Sequence, residues 1–160
     1  MEDTVSTTYY TTVSSPIGEL LLTSDGRSLT GLQMSPFSPP AGGRHDEGPF
    51  EDVIRQLEEY FRGARKSFNV PLKAQGTPFQ LSVWAGLKEI PYGETMSYGE
   101  LARWIGNPRA VRAVGRANGS NPIAVIVPCH RVIGANGTLT GYGGGLDRKA
   151  KLLSLEGVRI

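Results

Sequence analysis

The stretch Ser97-Tyr98-Gly99-Glu100-Leu101-Ala102-Arg103-Trp104-Ile105-Gly106-Asn107-Pro108 decides how the fold is read. Ser97 with Glu100 three residues on is a capping box, in which hydroxyl and carboxylate each satisfy a backbone N–H that a helix start leaves orphaned. Leu101, Trp104 and Ile105 then recur at helical spacing, Gly106 stops the helix, and Asn107-Pro108 opens another that is expected to run to about Asn118. Two short helices joined by a tight glycine-containing turn are the helix-turn-helix pattern. Arg109, Arg112 and Arg116 are expected on one face of the second helix, while Ala110, Ala113, Gly115, Ala117 and Gly119 keep its surface low enough for close approach to another surface. A packed helical hairpin with a solvated basic edge fits the same pattern.

Outward toward the N-terminus, Thr77-Pro78-Phe79-Gln80 is a second capping box with proline at the first helical position. It predicts a helix carrying Phe79, Val83, Trp84, Leu87 and Ile90, closed by Pro91-Tyr92-Gly93. The polar stretch from Lys73 to Gly76 is the expected boundary between a domain of residues 1–76 and one of residues 77–160. Before it, Thr8–Val13, Glu19–Thr23 and Ser28–Met34 read as an antiparallel meander, with Asp25-Gly26 as a hairpin signal. Ser35 to Gly48, which contains His45, reads as a surface loop rich in proline and glycine. Phe50–Phe61 alternates apolar and acidic faces at helical period, and Phe68–Leu72 is expected to add another strand.

Outward toward the C-terminus, Asn118-Gly119-Ser120-Asn121-Pro122 turns the chain into the apolar run Ile123–Val127, read as a strand, which leads through Pro128 to Cys129-His130-Arg131. A structural cysteine needs neither a rigid turn before it nor two polar neighbours after it. A nucleophilic one does, because the thiolate is the reactive form and needs a nearby base or cation. The glycine-rich loop Gly141-Tyr142-Gly143-Gly144-Gly145 lacks the lysine and hydroxyl of a phosphate-binding loop, so its open amides fit the wall of a pocket. Asp147 is expected to cap a last helix from Arg148 to Glu156, with Leu152, Leu153 and Leu155 facing inward.

The net charge of +2 conceals a division: residues 1–76 carry 7 Lys and Arg against 10 Asp and Glu, and residues 77–160 carry 10 against 5. A basic half beside an acidic half points to a polyanionic partner. With no apolar run near the roughly 20 residues of a bilayer span and an acidic start at Met1-Glu2-Asp3, the chain is expected in the cytoplasm. One cysteine excludes an internal disulfide, and with only His45 and His130 beside it no structural zinc is expected.

Taken together, Pro128-Cys129-His130-Arg131-Val132-Ile133, the preceding Asn121-Pro122, the following Gly141-Tyr142, and Pro91-Tyr92-Gly93-Glu94-Thr95 with Ser97-Tyr98 resemble the O6-alkylguanine-DNA alkyltransferases. The resemblance is nearly continuous from Thr77 to Glu156. It implies an α/β protein, with a ribonuclease-H-like antiparallel sheet and helix in the N-terminal half and a mostly helical C-terminal half bearing the helix-turn-helix and the cysteine. It implies that Cys129 takes the alkyl group from the O6 of guanine in a single displacement, with His130 as base through a water and Glu156 orienting it. Tyr98 would protonate or hydrogen-bond the leaving base, and Asn121 would fix the turn before the thiol. A base inside a duplex must be flipped out for this, at a cost of a few kcal/mol.

The same resemblance makes Arg112 the side chain that fills the vacated stack. It implies DNA contacts at Tyr98, Ala110, Ala113, Gly115, Arg109, Arg116 and Ser120, in the minor groove and without sequence preference. The pocket would be formed by Tyr142, the amide of Gly143, the carbonyls of Cys129 and Val132, and Lys149. No cofactor or metal is implied, the partner is double-stranded DNA containing O6-alkylguanine, and a monomer is expected. Gly143 stands where many relatives have serine, and residues 1–76 lack the cysteines that hold zinc in some. Three other readings compete: a recognition-only relative, which Cys129 argues against; a cysteine hydrolase using Cys129, His130 and Glu156; and a helix-turn-helix regulator in which those residues are idle.

Overall fold

The computed structural model describes residues 7–142 and 144–159. It divides into two compact units, residues 1–74 and 75–160.

The first unit is a four-stranded sheet with one helix. Strands β1 (Tyr9–Val13), β2 (Leu20–Ser24) and β3 (Leu29–Met34) form the expected antiparallel meander, with Thr11 opposite Leu22 and Leu22 opposite Leu32. Leu20, Leu21, Leu22, Leu29 and Leu32 are buried. A fourth strand, β4 (Arg44–His45), lies inside the stretch read as a loop and pairs parallel with β1, giving the order β3-β2-β1-β4. His45 packs edge-on against Tyr10, with ring centroids 5.5 Å apart. Helix α1 (Glu51–Phe61) buries Val53, Gln56, Leu57 and Tyr60.

Gln56 explains why Phe68–Leu72 is not a full strand. Its side-chain amide donates to the Asn69 carbonyl at 3.0 Å and accepts from the Asn69 N–H at 2.8 Å, so that backbone is satisfied without a neighbouring strand. Only a bridge between Leu29 and Leu72 remains.

The second unit is mostly helical. Both capping boxes form: Thr77 with Gln80 opens α2 (Pro78–Leu87), and Ser97 with Glu100 opens α3 (Tyr98–Trp104). Helix α4 (Val111–Gly119) starts later than the sequence predicts, because Asn107 to Ala110 closes as a turn through Ala110 N–H to Asn107 O at 3.0 Å. Trp84 ties α2 to the end of α4 by donating its indole N–H to the Ala117 carbonyl at 2.8 Å. A two-stranded parallel pair, β5 (Met96–Ser97) with β6 (Val132–Ile133), joins the start of α3 to the segment just after Cys129. Helix α5 (Leu146–Leu155) closes the unit. Gly145, at φ 94°, precedes α5, so Asp147 lies within the first turn and is not its cap.

Candidate active site

The apolar run before Cys129 is not a strand. Its hydrogen bonds close locally: Val127 N–H reaches Ile123 O at 3.0 Å, and Ile126 N–H reaches Ala124 O at 2.8 Å. The second of these is a γ-turn centred on Val125, whose φ of 70° puts a β-branched residue in the left-handed region. A further i to i+2 bond, from Cys129 N–H to Val127 O at 2.8 Å, bends the chain at Pro128. Asn121 grips both sides of this turn, accepting from the Ile123 N–H at 3.1 Å and donating to the Val127 carbonyl at 2.7 Å. Two tight turns thus deliver Cys129 to the start of a 3-10 turn, Cys129–Arg131, where the residue is 5% exposed.

Burial pushes the Cys129 thiol above its ordinary pKa, and the side chains of Asn121 and Tyr142 with the charge of Lys149 pull against that. The resting group is therefore a thiol, and a nucleophilic reaction must remove its proton. His130, the next residue, is fully buried and bonds through Nε2 to Glu156 Oε2 at 2.8 Å. Burial is the larger influence on its pKa and holds it below the ordinary value, with Glu156 opposing, so the imidazole is neutral. Nδ1 has no hydrogen-bond partner among the described residues, which leaves that nitrogen able to accept a proton.

Glu156 is shared. Arg131 donates to its two oxygens from Nε at 2.8 Å and Nη2 at 3.0 Å, and from Nη1 to the Ile90 carbonyl at 2.7 Å. Tyr92, from the Pro91-Tyr92-Gly93 turn, lies under the Arg131 guanidinium at 5.8 Å. The carboxylate is aimed by the end of α5: Val158 N–H bonds to Leu153 O and Gly157 N–H to Ser154 O, with Gly157 at φ 84°. That is the helix ending for which glycine, free of a Cβ clash at positive φ, is suited.

Tyr98 stands at the first position of α3 with its ring over Gly115, where an added Cβ would lie 3.8 Å from it. Its hydroxyl meets Thr140, and so does Lys149, which is buried and donates from Nζ to the Thr140 carbonyl at 2.8 Å. The Lys149 ammonium is also 5.9 Å from the Tyr142 ring centre. Val132 is buried in β6 opposite Met96.

Arg112 and Arg116 are exposed on α4, whereas Arg109 is exposed in the turn before it. Ala110, Ala113 and Gly115 are half-buried, and Ser120 ends α4 with its hydroxyl on the Arg116 carbonyl at 3.0 Å. The expected amide at Gly143 lies outside the described residues.

Two residues of the site, Arg131 and Asn118, have contacts that the residue order does not signal. Asn118 is buried at the end of α4 and donates from Nδ2 to the Cys129 carbonyl at 3.4 Å, joining that helix to the cysteine turn. An asparagine near a helix end reads as an ordinary terminator, so nothing local marked it. No cluster of three or more His, Cys, Asp or Glu able to hold a metal occurs among the described residues.

The class these features define is a helix-turn-helix protein with a buried thiol beside a histidine–carboxylate pair. The family model for the ribonuclease-like domain of 6-O-methylguanine DNA methyltransferase matches residues 8–74, and the model for that family's DNA-binding domain matches residues 78–158. The chain belongs to the 6-O-methylguanine DNA methyltransferase family. It is 56% identical to the methylated-DNA–protein-cysteine methyltransferase of Methanosarcina acetivorans, over 93% of this chain and 98% of that one. It is 54% identical to the protein of that name from Mycobacterium tuberculosis, over 92% of each chain. Among solved structures it resembles the Mycobacterium tuberculosis O6-methylguanine methyltransferase, with a TM-score of 0.88 at 54% identity over 93% of this chain and 92% of that one. It also resembles that organism's OGT in complex with DNA, with a TM-score of 0.89 at 55% identity over 92% of each.

Proposed function

We propose that this chain repairs O6-alkylguanine in DNA by moving the alkyl group irreversibly onto its own Cys129. The transferase activity itself and DNA as the partner follow from membership of the family across both units and from relatives more than half identical over nine-tenths of the chain. The assignment of residues is our own. The observation that carries it is the buried 2.8 Å bond between His130 and Glu156, placed directly after the only cysteine.

In the reaction, His130 accepts the Cys129 proton through a water, the sulfur attacks the alkyl carbon, and the bond from that carbon to O6 breaks. The electron pair passes into the guanine ring system, and Tyr98 donates a proton to the leaving base. Glu156, held by Arg131, keeps the imidazole oriented and stabilises its charged form, the arrangement of a nucleophile, base and orienter. The product is a thioether, which water does not cleave, so each molecule acts once. A cysteine hydrolase with the same three residues would turn over.

Arg112 and Arg116 on α4 support docking on phosphates, and the small residues Ala110, Ala113 and Gly115 support close approach in the minor groove. Arg112 enters the stack where the target base has left it. Arg109 and Ser120 contact the backbone from the two ends of α4. Tyr142, Val132 and Lys149 line the pocket, and specificity comes from that pocket and not from sequence in the groove. Residues 1–76 act as a scaffold for residues 77–160. The protein acts as a cytoplasmic monomer; no helix among the described residues is long and apolar enough to cross a membrane.

The test is intact-protein mass spectrometry after incubation with a duplex holding one O6-methylguanine, with Cys129→Ala alongside. One methyl gained per protein, mapped to Cys129 and absent from the variant, is the expected result. Binding without mass gain identifies a recognition-only protein, and repeated turnover identifies a hydrolase.

A further inference from the structure

Thr140 lies between two groups that the sequence separates by fifty residues. Its hydroxyl donates to Tyr98 Oη at 3.2 Å, and its carbonyl lies 3.4 Å from the same phenol, close enough to accept the phenolic hydrogen. That carbonyl also accepts from the buried Lys149 at 2.8 Å. The Tyr98 ring is held by the Ser97 capping box at the start of α3 and by Gly115 beneath it. Ring position is thus set by α3 and α4, and the surroundings of the hydroxyl are set by Thr140.

We infer that Thr140 is a positioning residue for the transfer step: its hydroxyl, on a backbone anchored by Lys149, donates to Tyr98 Oη and strengthens the phenol as a proton donor to the leaving guanine. The inference rests on the reading of Tyr98 as the general acid.

At rest, the phenolic hydrogen has the Thr140 carbonyl as a long acceptor. When a flipped base enters, the hydrogen turns to the base, and the Thr140 hydroxyl still donates to the oxygen lone pair. An O–H whose oxygen accepts a hydrogen bond is a better donor, because linked hydrogen bonds polarise one another. As sulfur bonds to the alkyl carbon and the carbon–O6 bond breaks, the base takes the phenolic proton. The phenolate left behind keeps the Thr140 hydroxyl as a charge-assisted donor until solvent returns a proton. Lys149 matters here as the anchor. Its bond to the carbonyl is shorter than either bond to Tyr98, so it fixes the segment against which the phenol is set.

Thr140→Val keeps the side-chain shape and removes the hydroxyl, whereas Thr140→Ser keeps the hydroxyl. The experiment measures the single-turnover rate constant for methyl transfer from an O6-methylguanine duplex at saturating protein, and separately the duplex dissociation constant. These are compared in Thr140→Val, Thr140→Ser, Tyr98→Phe and the double variant Tyr98→Phe/Thr140→Val. A lost hydrogen bond to a charge-developing group predicts that Thr140→Val transfers about tenfold more slowly, with duplex affinity within about twofold of the parent. Thr140→Ser should transfer near the parent rate. In the Tyr98→Phe background, Thr140→Val should slow transfer no further, since the atom it serves is gone. If Tyr98→Phe is slow while Thr140→Val matches the parent, the role of Thr140 is refuted and that of Tyr98 stands. Equal slowing by Thr140→Val in both backgrounds, or no rescue by serine, also refutes it, because a loop-shape defect does not depend on the phenol. An unimpaired Tyr98→Phe removes the general acid itself, and the inference with it.

Discussion

Asn121 holds the Val127 carbonyl at 2.7 Å while its own oxygen accepts from the Ile123 N–H at 3.1 Å, so one side chain braces a turn whose centre, Val125, has a φ of 70°. A β-branched residue at positive φ costs on the order of 1 to 3 kcal/mol and persists only where its surroundings compel it. Asn121→Ala removes two such bonds and should cost about 2 kcal/mol in urea unfolding, at roughly 1 kcal/mol for each. The turn ends at Cys129, so methyl transfer should slow by more than the loss of folded protein accounts for. Parent-like transfer in folded Asn121→Ala would show that the turn holds without its brace.

Glu156 is the acceptor for two buried donors, His130 and Arg131, and the variants at this position have different costs for the two. Glu156→Gln leaves the Arg131 guanidinium buried without its counter-charge, which should cost about 3 to 5 kcal/mol. Arg131→Met with Glu156→Gln removes both charges and should recover much of that stability without recovering transfer, since the imidazole still lacks its carboxylate. Calorimetric melting of the single and double variants, with transfer rates beside them, checks both halves of the expectation.

Most of this arrangement was legible in the residue order, and the misses share a physical cause. The capping boxes at Thr77 and Ser97 are local: the groups that satisfy the helix starts lie three residues away, so spacing alone reveals them. Cys129-His130 stands out by adjacency, a thiol and an imidazole on consecutive residues. Ile123–Val127 did not declare its shape, because five apolar residues read equally as a strand, and only the Asn121 clamp and the γ-turn at Val125 decide against one. The late start of α4, which leaves Arg109 outside the helix, depends on a turn bond between Asn107 and Ala110. Arg131 and Glu156 are twenty-five residues apart, and no periodic pattern links them. β4 is short and pairs with β1 from inside a segment full of turn formers, so composition hid it.

The pH dependence should follow His130. Burial holds its pKa below the ordinary value of 6.5, so as pH falls past about 6.5 the unfolded chain takes up a proton that the folded protein refuses. The state with more bound protons gains on acidification, hence stability should decline from about pH 6.5 downward until the folded imidazole also titrates. The acid limb of methyl transfer should likewise lie below pH 6.5, because the proposed base is the neutral ring. Urea unfolding and single-turnover rates across this range test it, with His130→Gln expected to flatten the stability slope. A transfer rate already halved at about pH 7 would contradict the neutral buried imidazole.

Methylation should weaken the protein that performs it. Cys129 is 5% exposed, its carbonyl accepts from Asn118 at the end of α4, and its amide closes the turn at Pro128, so a methyl left on the sulfur loads a residue tied at both its amide and its carbonyl. Overpacking of that size costs about 1 to 3 kcal/mol, which for a chain of this length is a fall in melting temperature of several degrees. Comparing the protein before and after reaction with one equivalent of methylated duplex, once the DNA is removed, gives the shift. Asn118→Ala should shrink it, because the strain passes through the Cys129 carbonyl to α4, and an unshifted melting temperature in the parent would mean the thiol pocket admits a methyl without moving either turn.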